Sequence, residues 1–279
     1  MSYKWLAALS CLFLLVLYAC TNKESIHIDG STTVLPIIAE VAEEFRSQYP
    51  DIRLIVNAGG SGVAVHQVGA GRVHIGMISR DLTEFEKASY PQADFVTHII
   101  GRDAVIPAVS KYVYDAGVRQ LSIDQLRAIY TGEITNWAEV GGPDRHILVI
   151  DKERSRGTRH VFMEVITGHP EAEAPGADLV LGANNELQTA IMQSNSAIGV
   201  LSWPWLNENV RGLAVITDDG EIIEPTKENI RNGQFPIIRN IELITNGQPS
   251  GIASDFIDFV LSEQGQKKVE DFGYARVDN

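Results

Sequence analysis

The first eighty residues alternate between strand-like and helix-like patterns, and this alternation restricts the fold more than any other feature. Ile26 to Asp29 alternates apolar and polar side chains, as a half-buried strand does. Apolar residues at helical spacing then run from Val34 to Phe45. Strand-like runs return at 52–57 and 73–79, separated by a short helical pattern over 63–70. This order predicts parallel strands in an α/β fold, whose ligand crevice lies beyond the carboxyl ends of the strands.

The rest of the chain continues with the same mixture of strands and helices. The patterns predict strands over 104–110, 147–150, 197–201 and 237–245, and helices over 122–130, 158–165, 185–193 and 254–272, the last interrupted by Gly265. No internal repeat and no low-complexity tract interrupts this order. We therefore expect two similar α/β halves that face each other across a cleft.

Three short glycine-containing motifs lie where a strand or loop gives way to a predicted helix. They are Gly30-Ser31-Thr32-Thr33, Gly59-Gly60-Ser61-Gly62 and Ser155-Arg156-Gly157-Thr158. A helix N-terminus offers unpaired backbone N–H groups and the positive end of the helix dipole, and Ser or Thr adds a hydroxyl donor. Thr32 or Thr33 is also the expected N-cap of the first helix, which has Pro36 in its first turn. Three such motifs predict one small oxyanion held from several sides.

The N-terminus has the pattern of a secretion signal. Lys4 precedes an apolar run from Trp5 to Tyr18, which is short for a membrane-spanning helix but suits a signal-peptide core. The run ends in Leu17-Tyr18-Ala19-Cys20, which resembles a bacterial lipobox with an unusual tyrosine. We expect residues 1–19 to be a signal peptide and Cys20 to be the lipidated first residue of the mature protein. The alternatives are an ordinary signal peptide and an uncleaved anchor.

These features predict an extracytoplasmic, lipid-anchored protein, in the periplasm or on the outer face of the cell membrane. Cys11 would leave with the signal peptide, so Cys20 alone would remain and no internal disulfide could form. The net charge of the full chain is −13. Such an acidic surface disfavours nucleic acid as a partner and repels anions at long range. An oxyanion must therefore be held by close hydrogen bonds, which outweigh a field screened beyond about 8–10 Å.

Sequence signatures of enzymes and cofactors are absent. The seven His residues show no His-Glu-x-x-His or other paired-ligand spacing, so no metal is expected, and no Walker loop occurs. Ser61 is flanked by glycines, but a nucleophile elbow needs glycine two residues after the serine, where this chain has Val63. Trp203-Pro204-Trp205 is interpreted as a packed turn rather than a sugar-stacking platform. We therefore expect a binding protein without a cofactor, not an enzyme.

Seven stretches of the chain form a recognisable series: Asp29–Pro36, Gly60–Gly62, Ile75–Arg80, Ile129–Trp137, Gly157–Arg159, Ala197–Val200 and Phe259–Gln266. Taken together and in order, they resemble the substrate-binding proteins of ABC importers, and among them the phosphate-binding lipoproteins of the high-affinity phosphate importer. The resemblance extends from about Ile26 to the end of the chain. It implies an α/β, two-domain type II periplasmic-binding-protein fold, with the ligand cleft between domains that are joined by a two-strand hinge.

The resemblance also implies a division into domains and a set of partners. Domain I would hold residues 25–104 and 240–279, and domain II residues 105–239, with crossings near Arg102–Ile106 and Pro236–Asn240. Inorganic phosphate would bind in the cleft, and closure would create the surface that the membrane subunits of an ABC importer recognise. We expect a monomer that binds phosphate without transforming it.

The resemblance assigns the ligand contacts to strand ends and helix starts. The implied phosphate-binding residues are Thr32, Thr33, Val34, Ser61, Gly62, Ser79, Arg80, Arg156, Gly157 and Thr158. The alternatives are a capping role for the threonines, a plain turn at Ser61 and a solvated surface position for Arg80. Arg156 departs from the family, which usually has Ser-Gly-Thr here. Its side chain either adds a cation to the cleft or turns outward.

The choice between phosphate and other oxyanions depends on a proton. Phosphate at neutral pH carries a proton and sulfate does not, so a carboxylate that accepts the hydrogen bond of this proton would favour phosphate. Asp29, Asp81 and Asp103 are the candidates, and the sequence does not choose among them. The alternative functions are a receptor for sulfate, molybdate or tungstate, a phosphatase-like protein, and a signalling protein on the same fold.

Overall fold

The structure, a computed structural model, describes residues 25–277. The predicted signal peptide, residues 1–19, and the predicted lipidation site, Cys20, lie outside the described residues. None of the described helices is long and apolar enough to cross a membrane.

The described residues form twelve strands, ten α-helices and two short 3-10 helices. The strands are β1 (Ser25–Gly30), β2 (Arg53–Ala58), β3 (Ile75–Ile78), β4 (Phe95–Ser110), β5 (Gln120–Ser122), β6 (Leu148–Lys152), β7 (Leu179–Leu181), β8 (Ala197–Ser202), β9 (Val210–Gly212), β10 (Ala214–Ile216), β11 (Ile222–Ile223) and β12 (Ile238–Asn246). The helices are α1 (Leu35–Gln48), α2 (Ser61–Gly69), α3 (Glu84–Ser89), α4 (Lys111–Asp115), α5 (Ile123–Thr131), α6 (Gly157–Thr167), α7 (Asn184–Gln193), α8 (Lys227–Arg231), α9 (Ile252–Leu261) and α10 (Glu263–Asp271). The 3-10 helices are Trp137–Val140 and Trp203–Trp205.

β1 is the central strand of the N-terminal part of the sheet. It pairs in parallel with β2 on one side and β3 on the other, so the carboxyl ends of these three strands meet at one edge. α1 begins at Leu35 with Val34 as its N-cap and without a side-chain cap. The prediction that Thr32 or Thr33 caps this helix is therefore wrong. The Thr33 hydroxyl instead accepts hydrogen bonds from distant side chains.

β4 and β12 connect the two halves of the sheet. β4 pairs antiparallel with β12 as far as Ala104, and from Val105 onward it pairs antiparallel with β8. β12 also pairs antiparallel with β3, which ties it to the N-terminal strands. The crossings predicted near Arg102–Ile106 and Pro236–Asn240 coincide with this change of partner, where Ile238 pairs with Ala104.

The second half of the sheet repeats the α/β arrangement of the first. β6 pairs in parallel with both β8 and β7, which gives the strand order β2-β1-β3-β12-β4-β8-β6-β7, with β9 also paired to β4. α6 and α7 follow β6 and β7 along the chain, as crossover helices of parallel strands do. The α/β fold class predicted from the sequence is confirmed.

Two large apolar cores lie on either side of the change of pairing partner. Every buried member of one core comes from residues 26–100 or 241–274, and every buried member of the other comes from 104–237. The second core contains the fully buried Tyr130, Trp137 and Phe162. These two cores are the observation on which we base the proposed division into domains 25–104 with 240–279, and 105–239.

The C-terminal helical segment consists of two helices rather than one interrupted helix. The break lies at Ser262, between α9 and α10, and not at Gly265. The Ser262 side chain accepts the Gly265 N–H at 3.3 Å and so caps α10. The sequence pattern misplaced the break because a glycine was taken as the helix breaker, whereas the serine supplies the cap.

Candidate functional site

Three buried serines meet where β1 and β3 end and α2 begins. The Ser31 hydroxyl donates to Ser79 Oγ at 2.9 Å, and Ser61 Oγ lies 3.4 Å from Ser79 Oγ. Ser61 Oγ also accepts the Ser79 N–H at 3.1 Å. A hydroxyl both donates and accepts, and its hydrogen can rotate. The three serines can therefore redirect their donors towards an oxyanion.

Arg239, near the start of β12, brings a buried cation to these serines. Its Nη1 donates to the Thr158 hydroxyl at 3.0 Å and to the Ser79 carbonyl oxygen at 3.2 Å. Its Nη2 donates to the Thr33 hydroxyl at 3.2 Å. One guanidinium thus contacts polar groups from both halves of the molecule, with the planar fork of donors that suits an oxyanion. We call Ser31, Thr33, Ser61, Ser79, Thr158 and Arg239 the cradle.

Asp103 fixes the orientation of the Arg239 side chain. The two residues are register partners on β4 and β12. Asp103 Oδ2 accepts hydrogen bonds from Arg239 Nη2 at 2.6 Å and from Nε at 2.9 Å, while Oδ1 accepts the Trp203 N–H at 3.3 Å. Because Asp103 is completely buried, it offsets the charge of the guanidinium and holds its plane in place.

The third motif places a helix N-terminus against the serines. α6 begins at Gly157, and the first N–H groups of a helix have no acceptor within it. A Cβ atom at Gly157 would lie 2.5 Å from Ser61 Oγ and 2.6 Å from Ser79 Oγ. Only glycine at position 157 lets the start of α6 come this close to the two serine hydroxyls. The structure thus brings together five of the residues predicted from the sequence: Thr33, Ser61, Ser79, Gly157 and Thr158.

Two further polar side chains are buried beside the cradle. Lys152 Nζ donates to the Gly182 carbonyl oxygen at 3.3 Å. Burial, together with the positive charges of Arg156 and Arg239, lowers the pKa of Lys152 to about 7. Asn184 Nδ2 donates to the Thr33 hydroxyl at 3.1 Å. Asp103 is paired to Arg239 and Asp151 to Arg159, so a protonated Lys152, offset in part by Glu186, adds a positive charge that an anion would complement.

The Arg80 guanidinium is buried but is not brought into the cradle. It donates to both carboxylate oxygens of Glu86, at 2.6 and 2.8 Å, and to the Asp81 carbonyl oxygen at 2.8 Å. Burial alone would raise the pKa of Glu86, but the hydrogen bonds and charge of Arg80 lower it below its ordinary value. Arg80 and Arg239 both line a cavity of about 570 Å³. Arg80 therefore lies next to the cradle with its donors directed at Glu86.

The Arg156 side chain reaches across to the second motif. Its Nη1 donates to the Gly59 carbonyl oxygen, and its Nε and Nη2 donate to Glu153 Oε2 at 2.8 and 2.6 Å. Next to it, the Gly62 N–H donates to the Ser155 carbonyl oxygen at 3.0 Å. The guanidinium thus neither joins the cradle nor turns freely to solvent. It joins the second and third motifs to each other.

Thr32 and Val34 lie at the edge of the cradle. Thr32 is half-buried, and the Val34 N–H donates to the Ser31 carbonyl oxygen at 3.1 Å. Of the three candidate carboxylates, Asp29 accepts a hydrogen bond from Asn57 at 2.8 Å and Asp81 is exposed. Asp103 reaches the cradle, but through Arg239.

Sequence reasoning missed four residues of this site: Ser31, Lys152, Asn184 and Arg239. Ser31 lies within the first motif and could have been included on that ground. Arg239 lies in a predicted strand without any motif, and its place depends on the pairing of β12 with β4, a contact between residues 136 apart in sequence. Lys152 lies after the strand predicted over 147–150, and Asn184 lies just before the helix predicted over 185–193; neither belongs to a motif.

The chemistry of the site is that of oxyanion recognition. Its donors are hydroxyl groups, helix N–H groups and a guanidinium, all shielded from water. Within residues 25–277, no group of three or more His, Cys, Asp or Glu side chains is placed to hold a metal ion.

Comparison of the sequence with known proteins gives consistent matches. A model of the PBP superfamily domain matches residues 19–264. The phosphate-binding protein PstS of Bacillus subtilis is 33% identical over 254 residues, which cover 91% of this chain and 81% of that protein. The phosphate-binding protein PstS of Borreliella burgdorferi is 28% identical over 272 residues, which cover 94% of each.

Solved structures give the same result. A putative phosphate ABC transporter substrate-binding protein of Clostridium perfringens, solved with bound phosphate, superposes with a TM-score of 0.82 at 30% identity, covering 91% of this chain and 100% of that one. An ABC-type phosphate transport receptor of Vibrio cholerae superposes with a TM-score of 0.72 at 29% identity, covering 90% of this chain and 100% of that one.

Proposed function

The chain belongs to the periplasmic-binding-protein superfamily and, within it, to the phosphate-binding proteins called PstS, and on this premise we propose that it captures inorganic phosphate and delivers it to an ABC-type importer. The family resemblance predicted from the sequence is confirmed. One observation of the structure supports phosphate capture above all. The buried Arg239 guanidinium, held by Asp103, contacts hydroxyl groups from both halves of the molecule.

We assign the phosphate contacts to the cradle and to the N-terminus of α6 at Gly157. The hydroxyls of the cradle now bond to one another and to Arg239. Phosphate oxygens would replace these mutual contacts with charge-assisted hydrogen bonds, which are the stronger kind. Roles for Thr32, Val34, Gly62, Arg80 and Arg156 in binding stay predictions of the family resemblance.

The remaining parts of the proposal concern location and partners. We place the protein outside the cytoplasm, attached to the membrane by lipid on Cys20, as a monomer that binds phosphate without chemical change. A lipid anchor would keep the binding protein close to the membrane subunits of the importer. Closure of the cleft would then present them with a surface that differs from the open one.

The test is a calorimetric titration of the purified protein with phosphate, sulfate and molybdate, with an aryl phosphate hydrolysis assay run in parallel. We expect phosphate to bind tightly with one site per chain, and no turnover of the aryl ester. Sulfate or molybdate binding without phosphate binding would overturn the proposal in favour of another oxyanion. Turnover would overturn the assignment as a binding protein.

A further inference from the structure

Asn184 is a buried amide at the edge of the cradle. It is the first residue of α7 and has only 1% of its surface exposed. Its Nδ2 donates to the Thr33 hydroxyl, which also accepts a hydrogen bond from Arg239. The carboxamide therefore spans the boundary between the two halves, next to the groups to which we assign phosphate binding.

The side-chain oxygen of Asn184 has no hydrogen-bond partner among the described residues. Buried acceptors are almost always paired, so an unpaired one in a binding site indicates a missing donor. The amide nitrogen is already engaged by Thr33 at 3.1 Å. The amide oxygen can only accept a hydrogen bond, so the group that pairs with Asn184 Oδ1 must carry an O–H or N–H donor.

The other candidate acceptors around the cradle are engaged or lie elsewhere. Both oxygens of Asp103 accept hydrogen bonds, from Arg239 and from the Trp203 backbone. Asp29 bonds to Asn57, and Asp81 is exposed. Asp103 is thus directed at Arg239 and the Trp203 backbone, and neither Asp29 nor Asp81 is buried beside the cradle.

We propose that Asn184 Oδ1 accepts the hydrogen bond of the proton carried by phosphate, and that this contact makes the site prefer protonated oxyanions. The inference rests on the proposed function and deepens it. Hydrogen phosphate has an O–H group for this acceptor. Sulfate and fluorophosphate have none at neutral pH, so one of their oxygens would face the amide oxygen, acceptor against acceptor. Arsenate, which carries a proton as phosphate does, should bind.

The test compares the unmodified protein with Asn184→Ala by titration with phosphate, arsenate, sulfate and fluorophosphate at pH 7.5. We expect Asn184→Ala to weaken phosphate and arsenate binding by about tenfold, the cost of one hydrogen bond. Binding of sulfate and fluorophosphate should be unchanged or tighter, because the substitution removes the acceptor that faces one of their oxygens. Asn185→Ala is the matched control, because Asn185 is the next residue and is exposed. It should leave the dissociation constants of all four anions unchanged.

Asn184→Asp is a second variant of nearly the same volume. It keeps an acceptor and adds a charge, so the ratio of sulfate to phosphate dissociation constants should rise above that of the unmodified protein. Equal weakening of all four anions by Asn184→Ala, or an unchanged ratio in both variants, would overturn the inference. Failure of the unmodified protein to bind phosphate would instead overturn the proposed function.

Discussion

At the scale of single residues, the site depends on how one buried guanidinium is compensated. An unpaired buried cation is strongly destabilising, whereas a paired one is tolerated. Asp103 accepts two hydrogen bonds from Arg239 on one oxygen, and this leaves Nη1 and part of Nη2 directed at Ser79, Thr158 and Thr33. The pair has no net charge, yet the N–H groups of Arg239 that point away from Asp103 can still donate hydrogen bonds. A site of this kind can bind an anion beneath an acidic protein surface.

Arg239→Lys should weaken phosphate binding about tenfold to a hundredfold. Lysine keeps the charge and can still pair with Asp103, but it loses the fork that reaches hydroxyls of both halves, a loss of about 1.5–3 kcal/mol for a charged hydrogen bond. Titration calorimetry measures the change. Arg80→Lys is the informative comparison, because Arg80 bonds to Glu86. If it weakens binding while Arg239→Lys does not, the assignment of Arg239 is wrong.

Lys152→Met should stabilise the phosphate-free protein and weaken phosphate binding. The pKa of Lys152 is near 7 because burial and two neighbouring arginines disfavour its charged form. Below pH 7 the ammonium is charged and attracts the anion, and above pH 7 it is increasingly neutral. The ratio of the variant's dissociation constant to that of the unmodified protein should therefore fall between pH 6 and pH 9. A ratio independent of pH would mean that Lys152 does not sense the ligand.

The residues of the site could be predicted from sequence only where a local pattern marks them. Ser61, Gly157 and Thr158 lie in glycine-containing motifs at helix starts, and the physics of a helix N-terminus suffices to select them. The direction in which a long side chain points cannot be predicted from such a local motif. Arg80 and Arg156 were expected to face the ligand, but in the structure each bonds to a glutamate a few residues away. Sequence alone does not decide which of several carboxylates or ligands such a side chain reaches.

At the scale of elements, the start of α2 and the start of α6 contact each other directly. A Cβ at Gly60 would lie 3.0 Å from the Ser155 carbonyl oxygen and 3.2 Å from Arg156 Cδ. The Gly62 N–H already donates to that carbonyl oxygen. With the guanidinium of Arg156 on Gly59, these contacts join the two halves independently of any ligand. They should favour the closed arrangement of the cleft.

Arg156→Ser should accelerate phosphate dissociation about fivefold and leave the association rate nearly unchanged. The hydrogen bond from Arg156 to Gly59 crosses between the halves, and its partly exposed position limits its contribution to about 1 kcal/mol. Stopped-flow fluorescence gives both rates. Small-angle scattering of the phosphate-free variant should also show a larger radius of gyration, which a residue acting through direct ligand contact would not change.

Arg154→Ser is the matched control for this contact. Arg154 lies two residues earlier and carries the same charge, but it pairs with Glu173 in its own half of the molecule. It should leave both rates and the scattering profile unchanged. Equal effects of the two variants would indicate that net charge, and not the contact with Gly59, is responsible.

The elements themselves were largely predictable, and their ends less so. Strands and helices of the first half follow from apolar spacing, with β1, α2 and β3 within a few residues of their predicted bounds. The full length of β4 was missed, because its first part, from Phe95, alternates poorly and is defined by pairing with β12. Long-range pairing of this kind leaves little trace in local sequence.

At the scale of the whole molecule, the cradle and the strands that join the two halves are one structure. Asp103 and Arg239 lie on β4 and β12, next to the point where β4 changes its pairing partner. Rotation of one half against the other would therefore alter the position of the guanidinium relative to Thr158. If the two halves close on phosphate as proposed, ligand binding and closure would be coupled directly through β4 and β12.

β12 also carries a buried carboxyl group, that of Glu242, whose charge should make the free energy of unfolding depend on pH. Glu242 is buried where the register between β12 and β4 shifts. Burial raises its pKa to about 7, and the charge of Asp81 adds to this effect. A carboxyl whose pKa is higher in the folded state stabilises the fold while protonated, and this contribution is lost as pH rises from the ordinary pKa of about 4.5 to about 7.

Glu242→Gln, a neutral residue of the same shape, should therefore have nearly the unfolding free energy of the unmodified protein at pH 4.5 and exceed it increasingly up to about pH 7. Above that pH the difference in unfolding free energy should level off at up to about 3 kcal/mol, because raising a pKa by one corresponds to about 1.4 kcal/mol. Urea denaturation of the phosphate-free proteins between pH 4.5 and 9 measures it. Asp81→Asn should lower both the plateau and the pH at which it is reached, since removing that charge lowers the pKa of Glu242 in the folded protein. Parallel curves for Glu242→Gln and the unmodified protein would show that Glu242 is not the titrating group.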